Sequence, residues 1–397
     1  MTEKVPKIII VGSGFAGVDA ARELEKIRKN VSILIISDRK WHDYKARLFK
    51  IIEENNTLST RIPLKTLINK AKIKTDKIET VDLNKQLLIG KSGEKYLYDY
   101  LVISTGSISN YHGVKIIKDL TYTINSSNEA LRLQKHIENT LQSMLEANLE
   151  EKISLGHFVV IGGGGTGVEM AAAISIKARR YAKHINLDSS FITIDLFHSG
   201  SRLLNKLRPE LSKAVEMRLR SLGVNIFFNR RITKEHIENI SIGDIHIKAN
   251  TIIWTAGVKQ NKITLYQKDS IDDHLRLLNH PMVYIVGDAG FDPNYGMAQT
   301  ALRQARYVSK EIEATLYRKG SKSYTSSPVY YAIPIGSYWA AVQMKYFNLI
   351  GFSGWIIRRL IDLRYLVRRM PLHIALKIFT GAPKRVNEKK LGESSHD

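Results

Sequence analysis

Continuous apolar runs and stretches of helical periodicity take turns along this chain. Ile8-Ile9-Ile10-Val11 is unbroken by polar residues, as expected of a strand covered on both faces, and it stops at Gly12. Small and apolar residues (Ala16, Ala20, Ala21, Leu24) then predict a helix from about Phe15 to Lys29. Ser32 to Ser37 is a second buried strand, closed by Asp38, and Ile78 to Ile89 alternates as antiparallel strands do. Tyr98 to Ser107 reads as a buried strand that leaves through Thr105-Gly106. Leu131 to Ala147 has the pattern of a polar amphipathic helix, after which His157 to Ile161 repeats the opening motif and meets Gly162. Further on come a strand at Phe191 to Phe197, a helix at Leu211 to Leu222 closed by Gly223, and a strand from Thr251 that leaves through Ala256-Gly257. Val283 to Gly290 is a last buried strand ending in Gly287-Asp288, followed by a helix from about Met297 to Tyr317.

The two glycine motifs carry the first chemistry. Gly12-Ser13-Gly14-Phe15-Ala16-Gly17 and Gly162-Gly163-Gly164-Gly165-Thr166-Gly167 lie 150 residues apart, each between a strand and a helix. In such a turn the first glycine makes the bend, the second admits a pyrophosphate, and the third lets helix and strand close together. The helix N-terminus then presents free N–H groups and a positive dipole end to the phosphates. One motif is weak evidence; two imply two dinucleotide sites and electron transfer between them. Asp38 lies 21 residues past Gly17, where such folds place a carboxylate on ribose hydroxyls.

Composition narrows the class. With 397 residues the chain suits two or three domains. It has no cysteine, which removes thiol–disulfide exchange, sulfide oxidation through a sulfur pair, and thiolate metal sites. The histidines show no ligand spacing, so no metal is expected. The net charge of +22 points to an anionic partner, and without a nucleic-acid motif the partner expected is phospholipid rather than nucleic acid. The start carries no signal-peptide pattern, and no stretch reads as a spanning helix.

Lipid is favoured by the region from Trp355 to Met370. Ile356, Leu360, Leu363, Val367 and Met370 recur at steps of four and three and form one apolar face, with arginines on the others. Between Lys345 and Lys390 stand 11 basic and two acidic residues. A basic amphipathic helix of this kind lies in the headgroup plane; packing on the protein's own core or on the partner of a homodimer is the competing use of that face. Pro371 breaks the helix, and a second short one is expected after it. The expectation is a peripheral protein on the cytoplasmic side of the cell membrane, whose flavin chemistry survives deletion of everything from Gly354 onward.

With these residues in place the chain resembles the two-dinucleotide-binding-domain flavoproteins, most closely the type II NADH:quinone oxidoreductases, over roughly residues 5 to 380. The motifs are the two fingerprints, Thr105-Gly106, Thr255-Ala256-Gly257-Val258, Val286-Gly287-Asp288 and Ala298-Gln299-Thr300-Ala301-Leu302-Arg303-Gln304. The resemblance implies an α/β fold of two Rossmann-like domains. An FAD domain (1–120 and 279–322) is interrupted by an NAD(P) domain (121–278), and a membrane-associating α/β segment follows (323–397). It places FAD on Gly12, Gly14, Phe15, Ala16, Gly17, Asp38, Arg39, Thr105, Gly106, Gly287, Asp288, Ala298 and Gln299. NADH or NADPH falls to Gly162, Gly164, Thr166, Gly167, Glu169, His198, Ala256 and Gly257. Glu169, Gln299, Arg303 and Gln304 are the implied catalytic set, and a membrane quinone is the implied acceptor.

Three departures from the family pattern matter. Arg303 replaces a glutamine, and Ala46-Arg47 stand where the loop covering the flavin usually has proline and leucine. His198 ends the strand at which an NAD-selective site offers a carboxylate, while Asp195 comes two residues too early. Either NADPH is accepted or nicotinamide nucleotides bind weakly. Two other functions stay open: a soluble reductase of a small electron-carrier protein, and a flavin-binding protein whose nicotinamide site has decayed.

Overall fold

The apolar run Lys7–Val11 is the middle of a six-stranded sheet because both of its faces are covered. The computed structural model describes residues 4–112, 121–235, 240–242, 245–247, 249–263 and 270–381. In strand order the sheet reads Arg276–Leu277, His280–Ile285, Tyr100–Ile103, Lys7–Val11, Ser32–Ser37 and Lys72–Thr75. Ile8 and Ile10 face one core, beneath the first glycine helix (Phe15–Leu24) and a return helix (Ala298–Leu316). Ile9 and Val11 face the other, against Ile78, Leu88 and Tyr96 of the antiparallel strands. The strand at His280–Ile285 pairs parallel with Tyr100–Ile103, so the chain returns to its first sheet after a long excursion.

That excursion is a second parallel sheet, in the order Val224–Phe227, Thr193–Phe197, His157–Ile161 and Thr251–Trp254. The second glycine helix, Gly165–His184, leaves its central strand. The fold is therefore α/β with two Rossmann-like sheets, as the resemblance implied. The boundaries depart in places. The first glycine helix ends at Leu24 instead of about Lys29, where the Glu25 carboxylate accepts the backbone N–H groups of Lys70 (2.7 Å) and Ala71 (2.8 Å). The polar helix starts at Ser127, four residues before its expected start, because Ser126 caps it and Glu129 reaches back to the cap.

The carboxy-terminal part holds a three-stranded sheet (Tyr331–Pro334, Ala340–Gln343, Asn348–Leu349), a surface helix (Gly351–Val367) and a terminal helix (Leu372–Thr380). Among the described residues no helix is long and apolar enough to cross a membrane. Lys384, Arg385, Lys389 and Lys390 of the basic count, with the polar tail, lie outside the described residues.

The surface helix turns apolar residues outward and charges inward. Ile356, Leu360 and Val367 are exposed (40%, 53% and 39%), whereas Arg358 and Asp362, with Arg369 just past the helix end, are buried (7%, 3% and 6%) beside Tyr365 and Leu366. Of the expected apolar face, only Met370 turns inward. The buried charges are matched. Asp362 accepts from Arg47 Nε (2.8 Å), from the Tyr44 hydroxyl (2.7 Å) and from Arg358, four residues before it. Arg358 also donates to the Ala46 carbonyl (2.6 Å), and Arg369 pairs with Asp19 of the first glycine helix. The helix is thus a wall of the first nucleotide domain and no separable arm. Deleting everything from Gly354 would leave Arg47 buried without its carboxylate, which overturns the expectation that flavin chemistry survives that deletion.

Removing one partner of a buried ion pair costs about 3–5 kcal/mol. Asp362→Ala, which strands two buried guanidinium groups, should therefore lower the thermal midpoint by several degrees and loosen any cofactor held under residues 41–49. Thermal unfolding of wild type and variant, followed by circular dichroism, checks this; unchanged midpoints would contradict it.

Candidate active site

The two glycine turns are built alike. Gly12 has φ +108° and Gly162 φ +113°, conformations that side chains resist. A Cβ at Gly17 would stand 2.0 Å from the Gly12 carbonyl oxygen, and one at Gly167 would stand 1.7 Å from that of Gly162. Each third glycine is thus fixed by helix–strand contact. The middle glycines differ: a Cβ at Gly14 or Gly164 would meet nothing within 4 Å. Neither helix carries a side-chain cap at its N-terminus, so their first N–H groups remain for an anion. A crowded turn floored by an open glycine fits a pyrophosphate, in both domains.

The turns also share a brace. The Ser104 hydroxyl donates to the carbonyls of Val11 (2.8 Å) and Gly12 (3.2 Å). Thr255 does the same for Ile161 (2.8 Å) and Gly162 (3.1 Å). The two small-residue exits then join. Ser107–Ser109, after Thr105-Gly106, pairs antiparallel with Val258–Gln260, after Ala256-Gly257, and Thr105 Oγ1 donates to the Asn261 carbonyl (2.5 Å).

Around the first turn, Asp38 sits half-exposed at its strand end and is bound by Arg39 Nε (2.9 Å). Burial alone would raise its carboxyl; Arg39's hydrogen bond and charge outweigh that and hold it below the usual range. Arg39 also reaches Asp43 (2.5 Å). Phe15 packs edge-on against His42, Tyr44 and Tyr365. His42 donates from Nδ1 to the Ser13 carbonyl (2.9 Å) and accepts the Tyr365 hydroxyl at Nε2 (3.1 Å). Burial pushes it down to about 4, so it is a neutral bridge from the glycine turn to the surface helix. Ala16 lies beside Gly287, where an added Cβ would come within 3.2 Å of the alanine methyl. Asp288 accepts the Gly296 N–H (2.8 Å) and the Ser107 hydroxyl (3.2 Å).

The return helix begins at Ala298 with no side-chain cap. Gln299 donates to the Tyr330 carbonyl (2.7 Å) and accepts its N–H (3.3 Å). Arg303 donates to the carbonyls of Ser327 and Pro328 (2.9 Å each). Gln304 accepts the Gly287 N–H (2.7 Å) and donates to Asp292 (3.3 Å). These side chains tie the helix start to the segment before Tyr331 and to the strand end at Gly287. Nothing in their motif announced those partners.

Around the second turn, Thr166 is exposed and His198 faces back, its Nδ1 accepting the Gly163 N–H (3.2 Å). Asp195 is mid-strand, receiving His157 Nε2 (2.8 Å) and Asn225 Nδ2 (2.9 Å). Gly257 adopts φ +130°, and the Ala256 carbonyl contacts His112 Nε2 (2.9 Å). Glu169 lies on the second glycine helix within the field of the surface helix. Burial raises its carboxyl to about 8, Arg358 pulling it back and Asp362 reinforcing the rise. The residues that sequence reasoning missed here are Arg358 and Asp362, whose Arg-x-x-x-Asp spacing on one helix was their one legible signal; Arg47 was singled out as a departure in the loop, but not its carboxylate partner.

The profile of the pyridine nucleotide-disulphide oxidoreductases matches residues 6–305. The type II NADH:quinone oxidoreductase Ndh of Mycobacterium tuberculosis (strain ATCC 25618 / H37Rv) is 26% identical over 395 residues, covering 91% of this chain and 84% of that protein. In fold the chain resembles NDH2 from Plasmodium falciparum in complex with NADH (TM-score 0.83, 18% identity, 95% and 97% of the two chains). It also resembles the sulfide:quinone oxidoreductase of Aquifex aeolicus (TM-score 0.74, 16% identity, 96% and 93%). With no cysteine, this chain lacks the sulfur pair that disulphide chemistry uses.

Two outcomes are expected. Gly14→Val puts a side chain into open space over the turn, so it should fold yet purify without the yellow of bound FAD; a fully loaded variant would refute the assignment. Glu169, raised from 4.5 to about 8, favours folding below pH 4.5 and loses that contribution as pH climbs to about 8. The thermal midpoint of Glu169→Gln should therefore fall less than wild type between pH 5 and 9, and parallel pH profiles would count against the raised carboxyl.

Proposed function

The chain belongs to the pyridine nucleotide-disulphide oxidoreductase family, and we propose that within it this protein passes electrons from a reduced nicotinamide nucleotide, through FAD, to a quinone at a membrane surface. The observation that carries this reading is the pair of uncapped glycine turns, each floored by an open glycine, whose exit strands are hydrogen-bonded to each other. FAD bound at Gly12–Gly17 would supply the two-electron chemistry, taking hydride and releasing electrons to the acceptor. The protein's part is to hold and to polarise. Asp38 offers oxygens to the adenosine ribose, and Asp288, fixed by Ser107 and Gly296, offers them to the ribityl chain. The free N-terminus of the return helix stabilises negative charge on the ring without a charged catalyst. Glu169 keeps a proton near neutral pH beside the nicotinamide side. Gln299, Arg303 and Gln304 serve as positioning residues, since their polar atoms hold backbone and neighbouring side chains.

The acceptor side faces lipid in this reading. The segment that Gln299 and Arg303 clamp runs into the strand Tyr331–Pro334, whose sheet packs under the surface helix. Outside that helix stand Phe352, Ile356 and Leu360, with Tyr338 and Trp355 in ring contact (5.0 Å) and Leu372 and Leu376 following on the terminal helix. An apolar patch with aromatic edges, beside exposed Arg364 and Arg368, suits an interfacial seat.

Anaerobic mixing of the yellow protein with NADH or NADPH should bleach the flavin, and a quinone analogue should restore it. Reoxidation by a small protein carrier but not by quinone would overturn the acceptor. Because deletion of the surface helix disturbs the flavin domain, the membrane seat is tested by surface changes. Ile356→Glu together with Leu360→Glu should cut binding to phosphatidylserine-containing vesicles roughly tenfold or more, at high salt as well as low. Flavin bleaching should persist. Equal co-sedimentation of wild type and double variant would remove the lipid role.

A further inference from the structure

The second nucleotide site has no acid where a 2′-hydroxyl would need one. The strand Thr193–Phe197 ends at His198, and the only carboxylate on it, Asp195, is buried and spent on His157 and Asn225. His198 gives no substitute acceptor. Its Nδ1 takes the Gly163 N–H, so the proton of the neutral ring sits on Nε2, and burial holds the ring below its usual range. Arg202 is spent as well, its guanidinium donating to the carbonyls of Leu207 (2.8 Å) and Asn205 (2.7 Å). The neighbouring strand supplies what is left. Beyond Phe227 it stays bonded to the end of its partner: His198 N–H donates to the Phe227 carbonyl (2.9 Å), Asn229 N–H to that of Gly200 (3.1 Å), and Arg230 N–H to that of His198 (3.0 Å). Arg230 and Arg231 are therefore brought beside His198, the first half-buried and the second exposed. Neither forms an ion pair among the described residues. No Asp or Glu occurs in residues 198–208 or 227–231.

We propose that this site takes the 2′-phosphorylated nicotinamide dinucleotide in preference to the unphosphorylated one, with the Arg230–Arg231 pair reading the phosphate. The proposal rests on the second fingerprint being the donor site. A ribose 2′-hydroxyl would find no carboxylate at the strand end, where NAD-selective folds provide one. A 2′-phosphate would find guanidinium charge, and a guanidinium grips a phosphate through paired hydrogen bonds. Arg230 N–H is bonded to the His198 carbonyl and Arg231 follows it directly, so both guanidinium groups are tethered at the strand end.

The full-length, FAD-loaded protein tests this in two arms. In the first, 2′,5′-ADP and 5′-ADP compete with NADPH during anaerobic bleaching of the flavin. The phosphorylated fragment should inhibit at a concentration at least about tenfold lower, a result that needs no variant. In the second, Arg230→Glu/Arg231→Glu should lower the ratio of NADPH to NADH bleaching efficiency at least about tenfold. Equal inhibition by the two fragments, or an unchanged ratio, overturns the inference. Bleaching by NADH alone overturns it too, while leaving the donor site in place. A flavin bleached by neither dinucleotide overturns the donor-site reading itself.

Discussion

A guanidinium with no exposed surface must carry its counter-ion with it into the interior. Arg47 is such a group, and its carboxylate, Asp362, comes from a helix 315 residues later. An isolated charge of this kind would cost several kcal/mol, so the loop at 41–49 and the surface helix can only be placed together. Much else follows. With Asp362 turned inward, Arg358 meets the Ala46 carbonyl and Tyr365 meets His42. Arg369 comes to rest on Asp19, in the first glycine helix. The opposite face of the same helix, which carries Ile356 and Leu360, is then forced outward. One buried pair thereby fixes the nucleotide turn, the loop beside it and the apolar exterior in a single geometry.

The two nucleotide domains repeat one solution with different braces. A hydroxyl, Ser104 in one and Thr255 in the other, ties two carbonyls of the turn, and the third glycine sits against the first. The duplication ends at the strand that follows. In the first domain it closes on Asp38 beside Arg39; in the second it closes on His198 beside Arg230. Turn chemistry, which recognises what all dinucleotides share, is kept. The strand ends, which meet what distinguishes them, have diverged in charge.

Periodicity made the fold readable. Continuous apolar runs gave the buried parallel strands because such runs report burial directly, and a 3.6-residue stripe gave the surface helix because that spacing marks one helical face. The direction of the stripe was legible as well, since Ile356, Leu360 and Val367 do lie outside. What lay beyond reach was why the arginines on that helix and just past its end are not all on its wet side. A charge in a sequence looks solvated until its partner is known, and the partners of Arg358 and Arg369 are tertiary: Asp362 shared with Arg47, and Asp19. For the same reason Gln299 and Arg303 read as reactive groups, although their hydrogen bonds go to backbone at Ser327, Pro328 and Tyr330. Ser126 was a missed local signal, an N-cap whose hydroxyl accepts the Glu129 N–H and starts the polar helix.

The inward charge and outward apolar surface of one helix also bear on how electrons would leave. A helix that merely dipped into lipid would leave the loop at 41–49 free to move relative to the membrane plane. Here the same residues that turn Leu360 outward hold Ala46 and, through Tyr365 and His42, the Ser13 carbonyl of the first glycine turn. On the proposed reading, the distance between the lipid surface and the flavin pyrophosphate is set by rigid hydrogen bonds rather than by a tether. An apolar acceptor arriving from the bilayer then meets its site at a fixed depth, and the buried charges that looked like a cost to the helix are what hold that depth constant.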